Sequence, residues 1–177
     1  MALAELAHRV SATFKSHKAN ATVAEARLSP GGPKLILAKP NSFMNLSGGP
    51  IAALLRFYDL DASRLIVLHD ELDIPFDSVR LKSGGGHGGH NGVRSLLADL
   101  GQADFARVRV GVGRPATGRD PADYLLSNFS RAEDKELPAL VGSAADAIEM
   151  IVAKGLPAAM NRFNGKAQSN KEPGNRA

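Results

Sequence analysis

The sequence predicts a single α/β domain, and three observations carry this prediction. Segments with the composition of strands alternate along the chain with segments whose apolar residues recur at helical spacing. The chain has 177 residues, which suits one domain with a buried core. It contains no internal repeat, so we expect one domain over residues 1–164 and a disordered polar tail over residues 165–177.

The composition narrows the class of protein. Cysteine is absent, which excludes disulfides and thiolate sites. No apolar run approaches the length of a membrane span, and the first residues lack the pattern of a signal peptide, so we expect a cytoplasmic protein without a membrane partner. The net charge is +4, of which the tail contributes about half, and this permits a local basic patch without establishing a nucleic-acid binder.

The first part of the chain predicts a helix followed by two strands. Four apolar residues recur at helical spacing, namely Leu3, Leu6, Val10 and Phe14. Residues 22–28 and 34–39 have the composition of strands, and the Ser, Pro and Gly residues of 29–33 predict a turn between them. Pro40 then ends the second strand.

Asn45 lies in a predicted connection from a strand to a helix. Ser47 suits the N-cap of a helix that continues to Tyr58. In open α/β sheets, ligands bind at the carboxyl ends of strands, where such connections lie. Asn45 is therefore a candidate binding residue, although an ordinary turn or capping role fits its position equally well.

Polar residues follow an apolar strand in the middle of the chain. Residues 65–68 form an apolar run that predicts a strand covered on both faces, and His69, Asp70, Glu71 and Asp73 come directly after it. Asp70 lies at the expected strand end and is the better functional candidate, whereas we expect Glu71 and Asp73 to be solvated. A metal site built from His69, Asp70, His87 and His90 is an alternative, disfavoured because the last two His lie in a glycine loop rather than on one helix face.

The glycine loop over residues 83–92 is the most distinctive segment. Six of its ten residues are Gly. Asn91 suits the N-cap of a helix in which Val93, Leu96, Leu97 and Leu100 recur at helical spacing, so the loop opens onto a helix N-terminus. Such a junction exposes N–H groups and favours an anion or an ester carbonyl. A flexible linker is the alternative, and a nucleotide P-loop is disfavoured because the Gly-Lys-Ser/Thr ending is absent.

Two further strands are predicted on either side of the Asn91 helix. Val79 and Leu81 alternate with basic residues, as do the valines of residues 107–112, and Gly101 ends the helix between them. The basic residues form a possible ladder on one sheet face: Arg80, Lys82, Arg107 and Arg109. Without a partner motif, the residues alone favour a solvated strand face over a binding site.

The last third of the chain predicts a loop and three helices. Residues 113–121 are rich in Gly, Pro and Arg and, with a short helix reaching Phe129, suit a mobile lid. A long amphipathic helix covers residues 137–152 and ends at Gly155, and Pro157 begins a last short helix that reaches about Phe163.

Four ordered motifs together resemble the bacterial peptidyl-tRNA hydrolase family. They are Ser42-Phe43-Met44-Asn45-Leu46-Ser47-Gly48, His69-Asp70-Glu71-Leu72-Asp73, Gly84-Gly85-Gly86-His87-Gly88-Gly89-His90-Asn91-Gly92 and Arg107-Val108-Arg109-Val110-Gly111-Val112-Gly113-Arg114-Pro115. The resemblance implies a single domain with a mixed, twisted sheet between helices. It also implies a monomer that uses water, without metal or cofactor, to cleave the ester between a peptide and the 3′ ribose of tRNA.

The resemblance also implies roles for residues of this chain. Asn45, His90 and Asn91 would hold the ester end of peptidyl-tRNA and the attacking water, and Phe43 would offer a stacking surface in the same crevice. Asp70 would orient the catalytic imidazole. Lys82 and Arg109 would clamp the 5′ phosphate of the tRNA, and the segment from Arg114 to Pro121 with the helix after it would form the lid.

The sequence departs from the family pattern at its start. Family members open with a strand, a Gly-x-x-Asn-Pro-Gly turn and an Arg-His-Asn stretch that carries the general-base His, and this chain begins within the following helix. Two explanations are open, a start assigned too late or a truncated form. His87 and His90 have suitable chemistry, but nothing in the sequence shows either reaching Asp70, so we expect the chain to be close to inactive. We also expect it to be poorly stable, because nothing in the sequence fills the place of the missing strand. The alternative function is a tRNA-end-binding module without turnover.

Overall fold

The computed structural model describes residues 1–102, 104–115 and 117–165. Most of the predicted tail, residues 166–177, lies outside the described residues, so the division into a domain and a tail stays a prediction. The helices are α1 (Ala2–Arg9), α2 (Gly48–Phe57), α3 (Asn91–Leu100), α4 (Pro121–Leu125), α5 (Arg131–Lys154) and α6 (Leu156–Asn164). The strands are β1 (Lys15–His17), β2 (Ala21–Arg27), β3 (Lys34–Pro40), β4 (Ile66–Glu71), β5 (Val79–Ser83) and β6 (Ala106–Gly111).

The first sheet is an antiparallel arrangement in the order β1-β2-β3. The predicted strands β2 and β3 and the turn between them are confirmed. Strand β1 was not predicted, because three polar residues carry no alternation that could reveal a strand. Helix α1 is shorter than its apolar spacing suggested: it ends at Arg9, and Ser11 has a positive φ of 51°, so Phe14 lies beyond the helix.

The second sheet has the order β4-β6-β5 and is mixed, since β4 runs parallel and β5 antiparallel to β6. The predicted mixed α/β fold is confirmed, with the described strands divided between two sheets. The expectation that residues 65–68 are covered on both faces was wrong, because β4 lies at the edge of its sheet and its apolar residues are only half-buried. The strand also continues through Asp70 to Glu71 rather than ending before His69.

The main core lies between helices α1, α5 and α6 and the sheets. Leu6, Leu81 and Val108 are almost fully buried there, with a run of small residues on α5 that includes Ala144 and Ala145. Helix α5 begins with a capping box between Ser130 and Glu133 and ends at Gly155, as predicted. A smaller cluster of Ala21, Val23 and Leu54 joins the first sheet to α2. Among the described helices, none is long and apolar enough to cross a membrane.

Candidate active site

Asp70 and His90 meet at the junction between β4 and the glycine loop. The Nε2 atom of His90 lies 3.3 Å from Oδ1 of Asp70. The Nδ1 atom of the same ring accepts a hydrogen bond of 3.2 Å from the backbone N–H of Val93. Because Nδ1 is an acceptor, the proton of the neutral ring lies on Nε2 and is donated to Asp70. Of the two loop histidines, for which no sequence feature indicated a contact with Asp70, His90 makes one.

His90 also takes the capping position that the sequence assigned to Asn91. It is the N-cap of α3, and Asn91 is the first residue of the helix, with an exposed side chain. The prediction failed because an imidazole nitrogen can accept the N–H of Val93 as an Asn side chain would. As a result, the capping role falls to the ring that also contacts Asp70, and the amide of Asn91 stands at the first turn, exposed to a ligand.

The environment keeps Asp70 ionised and His69 neutral. The hydrogen bond from His90 is the main cause that lowers the pKa of Asp70 from its ordinary value. His69 is buried, its Nδ1 donates to the backbone carbonyl of Asp70 at 2.7 Å, and its ring lies edge-on to that of His90 at 4.7 Å. Burial is the main cause that lowers the pKa of His69 to about 4. His69 thus supports the Asp70–His90 pair as a neutral, buried ring.

The four residues of the alternative metal site have other partners. His69 donates to a backbone carbonyl, His90 contacts Asp70, and Nδ1 of His87 accepts from the backbone N–H of Gly89 at 3.0 Å. Within the ranges that the structure describes, no group of three or more His, Asp or Glu residues is placed to hold a metal ion. That the site works with water and without a metal stays a prediction, and a chelator is its direct test.

Close packing brings the Phe43–Asn45 segment to the start of α3. A short 3-10 helix (Met44–Leu46) connects β3 to α2, and a Cβ atom added at Gly92 would lie only 2.6 Å from Sδ of Met44, so the two segments are in close contact. The side chains of Asn45 and Phe43 point into solvent, and Phe43 is 81% exposed. Asn45 is placed, as predicted, in a strand-to-helix connection, on a surface that a ligand can reach.

Ser47 occupies the predicted N-cap position of α2 but makes no capping bond. Its Oγ donates to the carbonyl of Met44 at 2.9 Å, which completes the 3-10 turn. The N–H of Gly48 donates instead to Oγ of Ser95 at 2.9 Å, on α3. This bond fixes the first turn of α2 to α3 and so contributes to holding the Met44–Leu46 segment beside the glycine loop.

The predicted basic ladder exists, but its four members have different environments. Register places Arg80 opposite Arg109 and Lys82 opposite Arg107, so all four point to one face of the second sheet. Arg80 turns away and donates to the carbonyls of Phe163 and Asn164 at the end of α6, where a cation is favourable. The solvated-face interpretation is wrong for Arg107, which is only 2% exposed.

Lys82, Arg107 and Arg109 form a cation cluster beside a single carboxylate. Glu71 lies 3.9 Å from the Arg109 guanidinium and is half-buried, so the expectation that Glu71 is solvated was wrong. Partial burial, followed by repulsion from Arg107 and Arg109, lowers the pKa of Lys82 from its ordinary value. Holding these like charges together costs folding free energy, and a bound anion would offset that cost.

The predicted lid segment packs over the end of β6. The phenol of Tyr124 on α4 donates to the carbonyl of Val112 at 2.7 Å, and Nε of Arg114 donates to Asp73 at 2.7 Å. Asp73 is exposed, as predicted. Helix α4 ends at Leu125, before the predicted limit of Phe129, and Ala116 lies outside the described residues. Movement of this segment stays a prediction.

Sequence reasoning missed two features of the site. The Asp70–His90 contact joins residues 20 positions apart in the chain, and no spacing rule connects a strand end to a glycine loop. The burial of Arg107 was hidden by alternation with valine, which is also the pattern of an ordinary half-exposed strand. The glycine carbonyls that bind Arg107 gave no signal of their own in the sequence.

Comparison with known proteins agrees with the fold and with the family resemblance. The peptidyl-tRNA hydrolase family model matches residues 1–172. The chain is 63% identical to a peptidyl-tRNA hydrolase of Leifsonia xyli over 93% of this chain and 85% of that protein. It is 54% identical to one of Kineococcus radiotolerans over 94% of this chain and 87% of that protein.

Solved structures give the same result at lower sequence identity. A crystal structure of peptidyl-tRNA hydrolase from Acinetobacter baumannii matches with a TM-score of 0.83 at 29% identity, covering 92% of this chain and 82% of that chain. A peptidyl-tRNA hydrolase in complex with n-propanol matches with a TM-score of 0.84 over the same shares. Since the family model covers nearly the whole sequence and close relatives share more than half of their residues with it, the chain belongs to the peptidyl-tRNA hydrolase family.

Proposed function

We propose that the protein hydrolyses the ester between a peptide and the 3′ ribose of tRNA, which releases the tRNA for reuse. The observation that carries the proposal is the ionised Asp70, held by His90 at the start of the helix that bears Asn91. This pair places a carboxylate, an exposed amide and a helix N-terminus at one point, which suits attack of water on an ester. Membership of the peptidyl-tRNA hydrolase family supports the choice of ester.

His90 acts in this proposal as a positioning residue rather than as the base. Both of its ring nitrogens are engaged, because Nδ1 accepts from Val93 and Nε2 donates to Asp70. The ring therefore has no lone pair available for the proton of an attacking water. Its role is to fix the carboxylate of Asp70, whose remaining oxygen is left to accept the proton of the attacking water.

Asn91 completes the chemistry at the ester. As the carboxylate of Asp70 takes a proton from water, the water oxygen bonds to the ester carbon and negative charge develops on the carbonyl oxygen. When the tetrahedral intermediate collapses, the bond to the ribose 3′ oxygen breaks and that oxygen takes up a proton. The amide of Asn91, exposed at the first turn of α3, offers a donor to this charge and an acceptor for the water.

The exposed surface around the site suits the acceptor end of tRNA. Phe43 offers a ring for base stacking, and Asn45 offers hydrogen bonds beside it. Lys82 and Arg109 would bind the 5′ phosphate, which lies near the 3′ end in the acceptor stem. We further propose that the protein works as a monomer in the cytoplasm, and light scattering at working concentration tests the oligomeric state.

Release of peptide from an N-blocked aminoacyl-tRNA tests the proposal. Because Asp70 is held by His90 and the chain belongs to the family, we no longer expect an inactive chain: we expect turnover that a chelator does not change. Asp70→Asn should lower kcat by about 10²-fold or more with little change in substrate affinity. Asp73→Asn is the matched control, since that carboxylate is exposed and bonds Arg114. Loss of activity with chelator would support the metal alternative, and tight binding without turnover would support a tRNA-end-binding module.

A further inference from the structure

Arg107 is a buried cation without a carboxylate partner among the described residues. It is 2% exposed, and its Nε is buried and has no hydrogen-bond partner among those described residues. The guanidinium lies 5.0 Å from the centre of the Phe105 ring, which offsets part of the charge. Burying a charge without an ion pair costs folding free energy. A buried charge of this kind is retained where it has a role other than stabilising the fold.

The guanidinium of Arg107 holds the glycine loop. Its Nη1 donates to the carbonyl of Gly86 at 2.6 Å, and its Nη2 donates to the carbonyl of Gly85. Gly84 and Gly85 have positive φ angles of 57° and 82°, which lets two successive residues turn the chain back over β6. Gly84 also donates to the carbonyl of Phe105 at 3.2 Å, so the first turn of the loop is fixed to the strand at two points.

This arrangement connects the cation cluster to the ester end of the site. A Cβ atom at Gly85 would lie 2.8 Å from Nζ of Lys82, so the loop backbone forms one wall against the lysine. The same loop leads, within a few residues, to His90 and its contact with Asp70. Because the Gly85 and Gly86 carbonyls accept from the Arg107 guanidinium, their partial negative charge is offset near Lys82, where it would otherwise repel a phosphate.

We propose that Arg107 is a positioning residue for the reaction: its buried guanidinium fixes the glycine loop so that Lys82 and the His90–Asn91 junction engage the two ends of one substrate. This inference rests on the proposed function for its substrate, but the holding of the loop can be tested without it. Arg107 itself touches neither phosphate nor ester. Its planar fork, rather than its charge alone, is the property that the loop requires.

Arg107→Lys separates the fork from the charge. Lysine keeps the positive charge but cannot bind two carbonyls in the same geometry, so we expect kcat to fall about 10-fold and KM to rise about 10-fold. The preference for substrate with a 5′ phosphate over the dephosphorylated form should fall as well, because the loop backbone no longer packs against the Lys82 side chain. Arg80→Lys is the matched control: it lies on the same face, binds the end of α6, and should leave all three quantities unchanged.

Hydrogen exchange of the loop provides a readout independent of turnover. In Arg107→Lys, backbone N–H groups of residues 84–91 should exchange faster while those of α5 keep their protection. If the wild-type protein does not hydrolyse peptidyl-tRNA but the loop still exchanges faster in Arg107→Lys than in wild type, the proposed function alone fails. Wild-type kcat, KM, phosphate preference and loop exchange in Arg107→Lys would overturn the inference.

Gly85→Ala keeps the inference testable if Arg107→Lys does not fold. An alanine disfavours the positive φ of 82° that the loop adopts here, so it displaces the loop without changing any charge. We expect it to reproduce the loss in kcat and in phosphate preference. Wild-type kinetics in Gly85→Ala would contradict the proposal whatever the outcome for Arg107→Lys.

Discussion

The two sheets place their ionisable residues in opposite environments, exposed in the first sheet and buried in the second. In the first sheet, Glu25 and Lys34 are exposed and pair with each other at 2.6 Å, and the phenol of Tyr58 donates to the same carboxylate. In the second sheet, Arg107 and His69 are buried. The first arrangement is typical of a surface, where ion pairs contribute little. The second costs stability, and such costs concentrate where a protein binds or reacts.

This difference in the burial of ionisable residues indicates which strands position the functional residues. The cationic face of the second sheet is covered by a glycine loop, whereas the charged residues of the first sheet face solvent. A buried group that gains no stability from its own charge is retained for what it positions or attracts. The predictions that follow test whether charge in the second sheet matters more than the corresponding charge in the first.

The largest expected effect is on stability at low pH, through His69. Its pKa is about 4 in the folded protein because of burial, against about 6.5 in an unfolded chain. Below the pKa of the unfolded chain, the unfolded state binds a proton that the folded protein does not. The free energy of unfolding therefore falls by about 3 kcal/mol as pH falls from about 6.5 to about 4, and it is fully retained above that window. His69→Asn keeps a donor for the Asp70 carbonyl and should flatten the dependence of Tm on pH in this window.

The corresponding control lies in the first sheet. His17→Asn in β1 removes a half-buried His whose Nδ1 accepts from Ala19. It should retain the wild-type pH dependence of Tm between pH 6.5 and 4. Equal flattening in both variants, or none in His69→Asn, would show that His69 does not carry this dependence.

A large effect on turnover is expected at Asn91, where the glycine loop meets α3. Asn91→Asp keeps the shape of the side chain but loses the amide donor, so we expect kcat to fall about 10²-fold. The measurement is single-turnover release of peptide. Asn41→Asp, after β3 of the first sheet, is the matched control, because Asn41 only accepts from Thr22 and should tolerate the change. Full activity in Asn91→Asp would leave Asn91 without a role at the ester.

A smaller effect on binding is expected at Lys82 and Arg109. Their contacts with phosphate are made alike in the ground and transition states, so alanine at either position should raise KM about 10-fold with little change in kcat. Each variant should also reduce the slope of log affinity against log salt by about 1. Lys34→Ala in the first sheet is the control, and a slope unchanged at both Lys82 and Arg109 would return them to the solvated-face interpretation.

The smallest effect is expected for the ion pair of the first sheet. Glu25 and Lys34 are exposed, and a double-mutant cycle of Glu25→Gln and Lys34→Met should give a coupling that shifts Tm by less than about 2 °C. The coupling should decrease further at high salt. A large, salt-insensitive coupling would remove the contrast between the sheets.

Local signals in the sequence predicted most of the elements. Strand composition identified β2 and β3, alternation identified β5 and β6, and helical spacing identified α2, α3 and α5. Gly101 and Gly155 end their helices with positive φ, as their residue type predicted. These predictions hold because period and end signals act within a few residues of the chain. Four ordered motifs were also enough to identify the family.

Tertiary structure decided which of these residues meet. Spacing could not predict that His90 rather than Asn91 would cap α3 and contact Asp70, since that depends on where β4 ends relative to the loop. It could not distinguish Arg107, buried under glycine carbonyls, from Arg80, which reaches the end of α6 from the same face. The sequence determined the local elements and the family, whereas the environment of each charge was set by contacts between segments far apart in the chain.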